Sequence, residues 1–199
     1  SAAGSPADDT KPSSSERELN SGPFGKDGEK LFQWSVEFPA IAARGGFDVV
    51  IGNPPYRRER DFKWELDEIA ATPLGRHHSP RMDLWYYFIH RGIELLSDGG
   101  VLSFITNAYW TGGVGAEKLI AALRDQVHLD ELFILKRQPV FHGVSGRHSI
   151  LILTKSPSYD ATRIKIASGE GVSLEDRGEV REYHKSRGQL FRDGRIDIL

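Results

Sequence analysis

From residue 47 onward the chain alternates between short apolar runs and longer stretches whose apolar side chains recur at helical spacing. Phe47-Asp48-Val49-Val50-Ile51 is a β-branched run that stops at Gly52 and two prolines, and it predicts a buried strand. Asp83 to Leu96 carries Leu84, Phe88 and Leu95 at helical spacing, with Asp83 as the N-cap and Gly99-Gly100 as the stop. Val101 to Thr106 predicts the next strand, and Ala116 to Asp125 a second amphipathic helix through Leu119, Ile120 and Leu123. Two more strands are expected near Leu129 to Leu135 and Ser149 to Thr154. An order of strand, helix, strand, helix, strand, strand predicts an α/β fold, a mainly parallel sheet with covering helices. The loop between the last two strands is too short for a crossover helix, so those two are expected to pair as an antiparallel hairpin.

The flanks read differently. Residues 1 to 30 are rich in Ser, Gly, Pro, Asp and Lys and cannot bury enough surface to offset their ordering entropy, so they are expected to be a disordered tail or linker. Order is expected to begin near Leu31-Phe32-Gln33-Trp34, with a short helix from Phe38 to Ala43. Beyond Ser156 the chain turns polar and charged, and only one strand, Arg163 to Ala167, is visible. There is no internal repeat.

Composition changes this picture in three places. A chain of 199 residues can build one sizeable core, while 21 glycines and 10 prolines point to many turns. A formal charge of -2 provides no general attraction to nucleic acid, so DNA binding would need a local basic patch. The absence of cysteine excludes disulfides and thiolate metal sites. No apolar run approaches the roughly 20 residues that cross a bilayer, and the polar N-terminus lacks a secretory signal pattern. A soluble cytoplasmic protein without membrane contact is the expectation.

The chemistry concentrates at Asn53-Pro54-Pro55-Tyr56, directly after the first strand, where open α/β sheets bind ligands beyond their strand ends. An exocyclic amine on a nucleobase is a poor nucleophile because its lone pair is delocalised into the ring. Acceptors for both N–H groups localise that lone pair, and the Asn53 side-chain carbonyl and the Pro54 backbone carbonyl can supply two. Prolines 54 and 55 remove two backbone donors and stiffen the loop. Tyr56 offers a flat face to a base swung out of its helix. A sulfonium leaving group requires no strong general base. An isolated Pro-Pro after a strand would be merely a rigid turn, but the full string at a strand end is far more specific.

Phe47 to Tyr56 resembles motif IV of the S-adenosylmethionine-dependent amino-methyltransferases, specifically the adenine-directed DNA enzymes of restriction–modification systems. The resemblance extends from about Phe32 to Lys155. Phe38-Pro39 is similar to a stretch of the large fused type II enzymes, and Gly99 to Thr106 to the strand that follows in the family. Asp83-Leu84-Trp85-Tyr86-Tyr87-Phe88 is similar to the family's next motif, which implies that Phe88 packs against the cofactor adenine. Pro139-Val140-Phe141 resembles the segment whose Phe stacks on the flipped base, which implies that Tyr56 and Phe141 sandwich the adenine. The resemblance further implies a Rossmann-like class I methyltransferase sheet, of which this chain is the C-terminal part. It implies catalytic roles for Asn53, Pro54, Pro55 and Tyr56, and cofactor contacts from Asn53, Pro55 and Phe88. The implied partner is double-stranded DNA with a flipped adenine. Residues 31 to 156 would then be the catalytic portion, and 157 to 199 a polar extension that starts a truncated recognition region. Without the family, Phe88 on an amphipathic helix would be assigned to the core.

Other clusters carry less. Gly112-Gly113-Val114-Gly115 lacks the spacing of a phosphate-cradling loop and is expected to be a flexible helix entry. His77-His78 with Asp83 lacks a third metal ligand, so no metal is expected and a solvated loop is the reading. Arg57, Arg58, Arg60 and Lys63 are either a solvated loop neutralised by Glu59 and Asp61 or contacts to DNA phosphate. A cofactor half would need a Gly-rich loop and three strand–helix units ahead of motif IV, and only 46 residues precede Phe47. The chain is therefore expected to be inactive alone, with its main cofactor loop on another segment or a second chain. Two alternatives stay open: a protein glutamine methyltransferase, which uses the same four-residue string, and a non-catalytic DNA-binding remnant.

Overall fold

A computed structural model describes residues 32–61, 63–113, 115–136, 146–156, 160–168 and 180–199. The first unit ends at Ala43 and the second runs from Arg44 to Leu199. In the first, α1 (Trp34–Glu37) and α2 (Pro39–Ala43) follow one another, and the Trp34 and Phe38 rings stack with centroids 5.9 Å apart. Helix α2 occupies the place where the sequence predicts one.

The second unit is built on a mixed sheet of β1 (Phe47–Gly52), β2 (Leu96–Asn107), β3 (His128–Leu135), β4 (His148–Thr154), β5 (Thr162–Ala167) and β6 (Val180–Lys185). Their spatial order is β1-β2-β4-β3-β5-β6. β1 pairs parallel with β2, and β3 with β5. β4 lies antiparallel between β2 and β3, and β6 antiparallel on β5. Four strands (β1, β2, β3, β5) therefore run one way and two run against them, which is the mainly parallel α/β sheet with a β3–β4 hairpin expected from the sequence.

Helices α3 (Lys63–Ala70), α4 (Trp85–Leu95) and α5 (Glu117–Asp125) lie between the strands in the chain. Trp85, Ile89 and Ile93 of α4 and Leu119, Ile120 and Leu123 of α5 share one core with Leu102, Phe104, Leu151 and Leu153 of the sheet. Alternation along β2 and β4 sends these strand side chains to the helix face. Ser149 crosslinks the interior: its hydroxyl lies 2.9 Å from Thr106 Oγ1 and accepts from Trp110 Nε1 at 3.2 Å.

Several expectations change. β1 is not fully buried: Val49 is 61% and Ile51 80% exposed, because only one neighbour, β2, pairs with it among the described residues and the helices cover the opposite face. Asp83 does not cap α4, whose cap position is Leu84 without a side-chain hydrogen bond. His77 is not in a solvated loop, since its ring stacks on buried His90 at 3.8 Å and its Nε2 lies 3.0 Å from Glu94 Oε1. Beyond Ser156, β5 occupies the place of the strand expected from Arg163 to Ala167, while β6 is an added strand, and Ile164, Ile166, Leu190 and Ile196 enter the same core. A short helix α6 (Arg187–Leu190) and the pair β7 (Phe191–Arg192) and β8 (Arg195–Ile196) close the chain. Among the described residues no helix is long and apolar enough to cross a membrane.

Gly46 makes the entry into β1. Its φ is +133°, and an added Cβ would stand 2.5 Å from the Leu95 carbonyl oxygen, a backbone atom that cannot swing aside. Gly46→Ala is expected to cost about 1–3 kcal/mol in chemical denaturation, while Gly112→Ala, where a Cβ meets nothing within 4 Å, stays near wild type. Equal stabilities would show that the Gly46 approach is not tight.

Candidate active site

β1 delivers Asn53-Pro54-Pro55-Tyr56 to the carboxyl end of the sheet, its last pair with β2 being Gly52 with Phe104. Gly52 packs closely there, since a Cβ would lie 3.2 Å from the Phe104 ring. The loop then folds back. Tyr56 donates its phenol proton to the Ile105 carbonyl at 2.9 Å, on the residue of β2 that follows Phe104. The Arg57 N–H donates to the Pro55 carbonyl at 3.1 Å, closing a three-residue turn around Tyr56. That turn consumes the Pro55 carbonyl. The Pro54 carbonyl and the Asn53 side chain have no hydrogen-bond partner among the described residues. Asn53 and Pro55 are exposed and Pro54 is buried, so the side chain of Asn53 faces outward from a stiff, anchored base.

A cavity of about 560 Å³ opens beside this loop. Its walls include Tyr56, Asp83, Tyr86, Asn107, Tyr109 and His148. Tyr56 and His148 face one another with ring centroids 6.0 Å apart. Burial pushes the Tyr56 phenol up to about 12 and lowers the His148 imidazole below its usual value, so both are neutral near pH 7. Tyr86 is held above its usual value by burial and then by the Asp83 carboxylate. Asp83 Oδ2 accepts from Trp85 Nε1 at 3.2 Å and from Asn107 Nδ2 at 3.0 Å, which ties the start of α4 to the end of β2. Asn107 Oδ1 in turn accepts from the Tyr109 N–H at 3.3 Å. Tyr109 is 62% exposed at the cavity mouth, a large aromatic face left to solvent.

The residues expected from the sequence are distributed as follows. Of the four in the motif, Tyr56 lines the cavity, and Asn53, Pro54 and Pro55 are not part of its lining. Phe88 is 43% exposed on α4 rather than in the core, and it does not line this cavity. Phe141 and its neighbours Pro139 and Val140 lie outside the described residues. Arg58 and Arg60 reach the cavity rim, whereas Arg57 is held by Glu65 Oε1 at 2.6 Å and the Asp61 carbonyl at 2.6 Å. Lys63 opens α3 and is not part of the lining. Arg81, Asn107, Tyr109, Arg147 and His148 also line the cavity, and no motif in the sequence marks them. For Asn107 and Tyr109 a signal existed, their place at the carboxyl end of β2. Arg147 and His148 enter from the far side of the β3–β4 hairpin, on a strand running the other way.

The sequence profile of the Eco57I restriction-modification methylase family matches residues 8–141. The type II methyltransferase M.HincII of Haemophilus influenzae is 29% identical over 133 residues, which are 65% of this chain and 26% of that protein. The chain spans between 10% and 26% of the lengths of the curated relatives it matches. Among solved structures, the methyltransferase subunit of a type I restriction-modification system from Streptococcus thermophilus superposes with a TM-score of 0.60 at 18% identity, covering 77% of this chain and 38% of that one. The type IIL restriction-modification enzyme MmeI, solved in complex with DNA, superposes with a TM-score of 0.55 at 14% identity, over 77% of this chain and 20% of its own. At these identities the superpositions show a shared fold.

The anchoring of the loop is testable through Tyr56→Phe, which deletes the hydrogen bond to Ile105 and leaves a part-buried carbonyl unpaired. The expected loss is about 1 kcal/mol of unfolding free energy. Because the phenol is raised, the unfolded chain ionises first, so the Tyr56 contribution is whole below pH 10 and lost as pH climbs toward 12. Wild-type stability should therefore fall more steeply than that of the variant across that window. Superimposable denaturation curves would show that the hydroxyl anchors nothing.

Proposed function

The chain belongs to the Eco57I restriction-modification methylase family, and from that premise we propose that it forms the target-amine side of a site-specific DNA adenine methyltransferase. The observation that carries the proposal is the state of the motif loop: two acceptors, the Asn53 side-chain carbonyl and the Pro54 carbonyl, have no partner among the described residues, on a loop pinned at Tyr56. Two acceptors for two N–H groups match an exocyclic amine. As they draw those protons, the nitrogen lone pair is freed from the ring and aimed along the line of attack. Tyr56 provides the face on which an everted adenine stacks, with the cavity receiving the base. In the same proposal Phe141 closes the other face.

S-adenosylmethionine is the proposed methyl donor, and its sulfonium supplies an activated methyl group with a neutral leaving group. The residues fit it on one count: Phe88 presents an exposed aromatic face on α4, the kind of surface on which an adenine ring stacks. Asn53 and Pro55 are the proposed further contacts. β1 has no second strand neighbour among the described residues, and with Val49 and Ile51 exposed this supports completion of the sheet by another segment or a second chain that carries the main cofactor loop. Within the stretch 157 to 199, β5 and β6 extend the same sheet, and the stretch as a whole is proposed to lead toward a recognition region.

A direct test supplies that cofactor half in trans and measures transfer of labelled methyl to adenine-containing duplex DNA. Asn53→Ala removes one of the two acceptors. It is expected to lower the rate by about 10² or more while leaving the circular dichroism spectrum unchanged. A variant with undiminished transfer would overturn the role given to Asn53.

A further inference from the structure

The cavity beside Tyr56 is ringed by positive charge that the chain as a whole does not carry. The formal net charge is -2, yet Arg58, Arg60, Arg81 and Arg147 line the cavity against only Glu59 and Asp83. Both carboxylates are already engaged. Glu59 accepts from the Arg81 backbone N–H and lies 3.4 Å from His78 Nε2, and Asp83 holds Trp85 and Asn107. Arg60 has one loose, exposed contact at 3.5 Å to Asp61. The guanidinium groups of Arg58, Arg81 and Arg147 have no ion-pair partner among the described residues.

These cations come from three separate stretches of chain, and the fold holds them in place. The Arg58 backbone bridges Asp83, the Leu84 N–H donates to the Arg57 carbonyl at 2.8 Å, and the Glu59 N–H donates to the Met82 carbonyl at 3.2 Å. The loop after the motif is thereby stapled to the loop before α4. Arg81 itself stands at φ +67°, a left-handed conformation that a non-glycine residue adopts at a cost in backbone strain. Gly115 makes room for it, since a Cβ there would lie 2.7 Å from the Arg81 carbonyl carbon. Arg147 arrives from the start of β4, where its carbonyl accepts from the Ala108 N–H at 2.9 Å. The four side chains are exposed, and these backbone contacts fix the positions from which they reach one opening.

We infer that Arg58, Arg81 and Arg147 form a phosphodiester clamp, holding the backbone phosphates on either side of a nucleotide whose base occupies the cavity. The inference rests on the DNA reading above and extends it to residues of three loops. Guanidinium forks match phosphate oxygens bidentately, and such contacts position a nucleic acid without reading its sequence. Arg57 and Lys63 are outside the clamp: the first is spent on Glu65, and the second is absent from the cavity wall.

The test is fluorescence anisotropy of the 199-residue chain with a labelled DNA duplex carrying a mismatched central adenine, titrated across salt concentration and without methyl donor. The double variant R81Q/R147Q is expected to lose roughly tenfold affinity per arginine near 0.1 M salt, and its log–log salt slope to shrink by about 1.8. K63Q should bind as wild type. R81K/R147K should regain the slope, which a folding defect would not allow. The clamp is overturned if wild type shows no binding, if R81Q/R147Q matches wild type, or if K63Q loses as much. Methyl transfer surviving Asn53→Ala would overturn the reaction assigned above and leave this clamp standing. Unchanged binding here would do the reverse.

Discussion

The parallel pairing of β1 with β2 is the constraint on which the rest depends. It ends at Gly52 opposite Phe104, and that register fixes where the chain leaves the sheet. Two prolines then prevent the exit from curling into a helix or donating into the ladder. Tyr56 completes the arrangement by bonding to the Ile105 carbonyl, on the very strand that β1 pairs with. The loop is thus referenced twice to β2, once through the ladder and once through a side chain. Between the two anchors, the Asn53 side-chain carbonyl and the Pro54 carbonyl have no partner among the described residues. β2 carries the opposite wall as well, because Asn107 at its end positions both Asp83 and Tyr109.

Much of this frame is legible in the sequence. β1, β2, β3 and β4 are apolar runs with β-branched residues, and α4 and α5 place apolar residues at helical spacing, so periodicity finds them. β6 is missed because Val180–Lys185 is a mostly exposed edge strand of charged residues, with no apolar alternation to betray it. α3 is missed for a related reason, since Lys63–Ala70 mixes charges through every turn. The depth of β1 is overestimated because a β-branched run signals a strand without saying how many of its faces are covered. Asp83 illustrates a third limit. An Asp ahead of a helical run reads as an N-cap, but its carboxylate is recruited by Trp85 and by Asn107, and Asn107 is 24 residues away.

The candidate site divides in the same manner. The Asn53 to Tyr56 string is legible because the chemistry proposed for it resides in four contiguous residues. The arginine ring is not, because Arg58, Arg81 and Arg147 are spread over 90 residues and gathered only by the staple after the motif and the reversed strand β4. A charge of -2 hides it further, since the compensating carboxylates lie elsewhere on the chain.

The central claim is that this loop was shaped to accept the exocyclic amine of adenine. Its most direct measurement is mass spectrometry of the nucleosides from duplex DNA incubated with labelled S-adenosylmethionine and the completed enzyme. The account predicts label in N6-methyladenine. Label in a methylated cytosine, or on protein glutamine with none in DNA, would contradict it.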